Sequence, residues 1–71
     1  MYNDYYVNRN SSGNPNNNHE VHMEGCRWMP SAINRDYLGR FTNCADAVKK
    51  AKEHYRNVDG CATCCPACHR G

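Results

Sequence analysis

The chain has 71 residues, a formal net charge of +2 and six cysteines, while Leu, Ile, Val and Phe together number only seven. So few aliphatic side chains in so short a chain exclude a self-sufficient hydrophobic core, and no apolar run approaches the length of a transmembrane helix. The weak net charge, the five tyrosines, Trp28 and the cysteines argue against disorder, so the fold is expected to depend on metal or disulfide cross-links.

Taken in chain order, Tyr5-Tyr6-Val7-Asn8 reads as a strand and Glu20-Val21-His22 as a second. The segment between them, Asn10 to Asn18, is rich in Asn, Ser, Gly and Pro and is expected to be a flexible, solvated hairpin loop. From Cys26 to Phe41 the apolar bulk resides in Trp28, Met29, Ile33, Tyr37, Leu38 and Phe41. Pro30 and Gly39 break this stretch into short strands or turns, with Tyr37-Leu38 extended and packed on the hairpin. A helix is predicted over about 43–55, capped by Thr42 or Asn43, with Asp46 in its first turn. Cys44, Val48, Ala51 and Tyr55 recur along one face, and Lys49, Lys50, Lys52 and Glu53 occupy the others. Asn57-Val58-Asp59-Gly60 reads as a turn into the final cysteine cluster, where Gly60 lets the backbone bend.

Metal-ligating residues fall into two distant groups. His22-x3-Cys26 is one, and Cys61-Ala-Thr-Cys64-Cys65-Pro-Ala-Cys68-His69 holds the other. A Cys-x2-Cys turn suits zinc because it brings two thiolates within about 2.3 Å of one tetrahedral ion, and a distant pair completes four ligands. Cys61-x2-Cys64 and Cys65-x2-Cys68 are overlapping choices of turn, and both together with His22 and Cys26 exceed one ion's needs. An even cysteine count would also suit a secreted disulfide framework. The opening Met1-Tyr2-Asn3-Asp4 is not a charged and apolar signal segment, however, so a reducing, cytoplasmic setting with metal ligation is expected.

Other chemistry receives less support from the residues. Cys44, on the apolar helix stripe, reads as a small buried side chain, with a disulfide or metal role beside Cys65 or Cys68 as the alternative. His54 reads as a surface residue. Cys65-Pro-Ala-Cys68-His69 matches the pattern for covalent haem attachment, yet the chain has too few apolar residues to sheathe a porphyrin. A redox-active Cys-x2-Cys lacks the βαβ setting it favours. Arg27, Arg35 and Arg40 surround Trp28, Tyr37 and Phe41, which together with the helix lysines leaves a nucleic-acid-binding surface open, although lysines on a helix usually form a solvated face. No paired carboxylates, nucleophile elbow or phosphate-cradling glycine loop speaks for an enzyme.

The order of these features resembles the metal-binding domain of Ada-type DNA repair proteins: Tyr6-Val7-Asn8, a polar loop, Val21-His22-x3-Cys26, the segment from Asn34 to Phe41, Cys44-x2-Ala47 opening a helix, and Gly60-Cys61-x2-Cys64. The chain also resembles a group of small stand-alone bacterial proteins carrying His-x3-Cys, Leu-Gly-x-Phe and a terminal Gly-Cys-x2-Cys run, for which no activity is agreed. The first resemblance covers roughly residues 5 to 65. It implies a small antiparallel sheet with flanking helices and one zinc held by His22, Cys26, Cys61 and Cys64. In the repair domain the first cysteine of a Cys-x3-Cys pair accepts a methyl group from DNA phosphate. Here that position is His22, which has no nucleophilic sulfur, so methyl transfer is not carried over. The reading is a single α+β domain over 1–71, a zinc-stapled monomer with a short antiparallel sheet and at least one helix. It is taken as non-enzymatic, with a structural zinc and a protein or nucleic-acid partner.

Overall fold

The computed structural model describes residues 1–12 and 17–70. Its four strands are β1 (Asn3–Asn8), β2 (His19–Met23), β3 (Arg35–Phe41) and β4 (Val58–Gly60), and its single α-helix among the described residues is α1 (Cys44–Ala51). Short 3-10 turns occupy Ala32–Asn34 and Pro66–Cys68. The α+β class is as expected. The centre of the expected loop, residues 13–16, lies outside the described residues.

The sheet order is β3-β1-β2-β4. Strand β1 pairs antiparallel with β2, placing Tyr6 opposite His22 and Val7 opposite Val21. It pairs antiparallel with β3 as well, and a bulge opposite Tyr5 and Tyr6 lets the β3 register step from Gly39 to Tyr37. Strand β4 runs parallel to β2, matching Glu20 with Asp59 and Val21 with Gly60. The sheet is therefore mixed rather than wholly antiparallel, and 58–60 form an edge strand where the sequence suggested only a turn. The reason is a non-local ladder: the Cys61 amide donates to Val21 O at 2.9 Å and the His19 amide to Asn57 O at 2.7 Å, bracketing the pairing.

Alternation along the strands sorts the side chains into two faces. Tyr5, Val7 and Val21 point inward and are buried, as is Leu38 of β3, and the helix covers them with Ala47 and Ala51. Small residues at these two helix positions let α1 lie close to the sheet. Trp28, Ile33 and Tyr37 contribute little to this core, being 63%, 79% and 57% exposed.

Asn43 caps α1, its side chain accepting from the Asp46 amide at 2.9 Å. The helix ends at Ala51 rather than near 55. Bonds from Glu53 N to Lys50 O and from His54 N to Ala51 O tighten the last turn, and the chain leaves the axis. Tyr55 explains the early stop: its hydroxyl donates to Asp36 of β3 at 2.5 Å while its ring stacks on His19 of β2 at 4.0 Å. Cys44, read as a small buried side chain with a disulfide or metal role beside Cys65 or Cys68 as the alternative, is half-buried and disulfide-bonded to Cys68, which ties the start of α1 to the C-terminal 3-10 turn. Among the described residues no helix is long and apolar enough to cross a membrane.

Candidate metal centre

Strand β2 delivers the first donor. His22 alternates with the fully buried Val21 and is itself only 2% exposed, so its imidazole is fixed among protein atoms. A tight turn follows, closed by the Cys26 amide donating to Met23 O at 3.0 Å. Gly25 holds a φ of 92° in that turn, a conformation costly for any residue with a Cβ, and this reverses the chain so that Cys26 faces back toward His22.

The other two donors follow β4. Cys61 continues the ladder from its amide to Val21 O, and the turn from Cys61 to Cys65 is closed by the Cys65 amide donating to Cys61 O at 2.8 Å. Close approach also explains Gly60. A Cβ there would meet Cys68 Cβ at 2.7 Å and Cys65 O at 2.9 Å, so glycine is required by the crowding of the following loop rather than by a bend.

These two segments bring His22, Cys26, Cys61 and Cys64 together, with one donor atom from each lying within 4.8 Å of the others. His22 Nδ1 is 3.6 Å from Cys26 Sγ and 3.9 Å from Cys64 Sγ, and the sulfurs of Cys26 and Cys61 are 3.9 Å apart. Bonds of about 2.3 Å to sulfur and 2.0–2.1 Å to nitrogen would set neighbouring donors of a tetrahedral ion roughly 3.5–3.8 Å apart. The three separations lie at or just above that spacing and the full set within 4.8 Å, so the four side chains are placed to hold a metal ion.

Electrostatics favour a cation at this point. Burial pushes the Cys64 thiol far above its ordinary range, with the hydrogen bond to Cys26 adding to the shift and the bond from the Met23 amide opposing it. Burial also pushes the His22 pKa down, which keeps the imidazole neutral and able to donate a lone pair. The Cys64 thiol is therefore poorly disposed to ionise alone, and a bound cation would compensate its thiolate. The Met23 amide donates to Cys64 Sγ at 3.3 Å, a contact that suits a thiolate. On the far side of the ring, His22 Nε2 lies 4.0 Å from Glu20 Oε1.

The competing cysteines go elsewhere. Cys65 is buried in the core cluster with its sulfur 3.9 Å from that of Cys64, and Cys68 is committed to Cys44. His69 turns to the β4 edge, with Nδ1 at 3.1 Å from Gly60 O and 3.3 Å from the buried Asp59 carboxylate. The Cys65-x2-Cys68 turn is thus not assembled as a ligand pair, and the haem-attachment pattern has one sulfur in a disulfide and the other buried. Compared with known proteins, the chain matches no family model, no curated protein and no solved structure. Glu20 and the Met23 amide were not singled out from the sequence. Only Glu20 left a signal there, two residues before His22 and so on the same strand face.

Proposed function

We propose that the chain is a non-enzymatic zinc-binding module in which His22, Cys26, Cys61 and Cys64 hold one structural ion and the folded surface serves macromolecular interaction. The convergence of three sulfurs and one imidazole nitrogen within 4.8 Å of one another carries this reading. Soft thiolate and imidazole donors suit zinc, whereas magnesium and calcium take oxygen. Four protein donors leave no open position for a substrate or an activated water, which favours a structural over a catalytic ion. Native mass spectrometry should find one zinc per chain, and the β-carbon shifts of Cys26, Cys61 and Cys64 should be those of metal-bound thiolates. A metal-free folded chain, or oxidised shifts at those cysteines, would reject the assignment.

A second reading, a nucleic-acid-binding module related to the Ada metal-binding domain, has support from two groups of arginines beside aromatic rings. Tyr6 and Tyr37 pack at 5.2 Å between centroids, the Arg35 guanidinium lies 4.8 Å above the Tyr6 ring, and Arg27 lies 5.6 Å from the exposed Trp28. Aromatic faces beside arginines can stack bases while the cations track phosphate. Opposing this, Arg40 and Arg9 have carboxylate neighbours, Asp4 and Asp36, at 3.7 Å. Anisotropy titrations with a single-stranded oligonucleotide separate the two readings. Affinity that falls steeply with salt and with Tyr37→Ala favours nucleic acid, and its absence favours a protein partner.

A further inference from the structure

A cavity of about 280 Å³ lies between α1 and the C-terminal turn, apart from the candidate metal centre. Its helical wall consists of Ala45, Val48, Lys49 and Lys52, which recur at i, i+3, i+4 and i+7 and so share one face of α1 and the turn after it. Ala67 and Arg70 approach from the opposite side, held there by the Cys44–Cys68 disulfide.

Among the described residues, the charged side chains that line this cavity are all cations. Lys49, Lys52 and Arg70 line it, and among the described residues no carboxylate lies within ion-pair distance of any of the three. Lys50, on another side of the helix, pairs with Glu53 at 3.3 Å. The acidic residue nearest in space to the Arg70 backbone is Asp59, and its carboxylate is already engaged by the Arg70 amide at 2.8 Å and by His69. The walls between the cations are apolar, formed by Ala45, Val48 and Ala67.

We propose that this cavity is a binding site for a small phosphate monoester. Three cations far exceed the single charge of a carboxylate and are more nearly balanced by a phosphate monoester, which carries about −1.5 to −2 charges near neutral pH and offers three acceptor oxygens, one for each cation. The volume falls just under the range of about 300–1,000 Å³ typical of pockets for drug-sized ligands, which limits the esterified group to a small one able to rest on the alanine and valine wall. The proposal does not depend on which ion occupies the metal centre.

Amide-shift titration of the isotope-labelled, zinc-loaded full chain tests it, with phenyl phosphate as the probe and sodium chloride at matched ionic strength as the control. Saturable shifts at Val48, Lys49, Lys52, Ala67 and Arg70 are expected. Inorganic phosphate should bind at least about fivefold more weakly because it forgoes the apolar wall. Lys52→Gln and Arg70→Gln should each weaken phenyl phosphate about tenfold through loss of a charge-assisted hydrogen bond, whereas Lys50→Gln should change nothing. A short phosphoserine peptide, run in parallel, identifies the source of the ester: tighter binding than phenyl phosphate marks a phosphorylated side chain, and weaker binding marks a free small molecule. Shifts that fail to saturate or merely reproduce those of chloride overturn the proposal, as does equal weakening by Lys50→Gln and Lys52→Gln. Each variant's amide dispersion shows that its fold is retained.

Discussion

At the residue scale, the candidate centre shows which features of a metal site are written in spacing. His22-x3-Cys26 and Cys61-x2-Cys64 were legible because each pair is local, and a tight turn fixes the geometry of its two members. Selecting Cys61-Cys64 over Cys65-Cys68 was not possible from the residues alone, since the decision depends on Cys68 meeting Cys44 across 24 residues of chain. Gly60 was legible as special for the wrong reason: the crowding comes from Cys65 and Cys68, which a local reading cannot see. Glu20 Oε1 lies 4.0 Å from the outward nitrogen of His22, beyond hydrogen-bond length but near enough to close on the ring once His22 is held by a metal. Glu20→Gln is therefore expected to lower zinc affinity by about 10-fold with the stoichiometry still one, as read by competition with a chromophoric chelator. An unchanged affinity would leave Glu20 without a role at the centre. The imidazole at position 22 also bears on the resemblance to the Ada-type domain. With no sulfur there, incubation with methylated DNA should leave the intact mass unchanged, and a stoichiometric gain of one methyl on any cysteine would contradict the non-enzymatic reading.

At the scale of elements, local patterns served well where the pattern was strong. The hairpin strands were visible in Tyr5-Tyr6-Val7 and Glu20-Val21-His22, and the helix in its Asn43 cap and apolar stripe. The stripe was centred slightly off, because the most buried helix positions are Ala47 and Ala51 while Cys44, Val48 and Tyr55 flank them. Strand β4 escaped notice because Val58-Asp59-Gly60 is too short and too polar to signal a strand, and it forms only by pairing with β2. The last element, the Pro66–Cys68 turn, is attached to α1 by the disulfide and to β4 through His69 and Arg70. Selective reduction of Cys44–Cys68 in the zinc-loaded protein should therefore raise amide exchange at Ala67, Cys68 and Arg70 while leaving exchange in β1 and β2 unchanged. Loss of protection throughout the sheet would mean that the disulfide, and not the metal, is the main cross-link.

At the scale of the whole molecule, the described residues bury few large apolar side chains: Tyr5, Val7, Val21 and Leu38 form the centre, and two alanines complete the helix side. Ordering a residue costs roughly 1–2 kcal/mol in backbone entropy, and a cluster of this size offsets only part of that cost for the chain, whereas a structural zinc supplies about 10–16 kcal/mol of apparent binding free energy. The position of the centre makes that contribution global. His22 and Cys26 belong to β2 and its following turn, Cys61 and Cys64 to the segment leaving β4, and the chain between them contains β3 and α1. An ion held there would close a loop holding most of the fold, and would do so beside the parallel β2–β4 pairing, whose ends are far apart in sequence. Chelation under reducing conditions, with the disulfide also open, is expected to collapse amide dispersion across residues 20 to 65 in one cooperative step, and adding zinc should restore it. Chelation with the disulfide intact should leave a partly ordered chain, since Cys44–Cys68 still holds α1 to the C-terminal turn. A reduced, chelated sample that kept its dispersed spectrum would show that packing alone sustains the sheet and that the ion is incidental to folding.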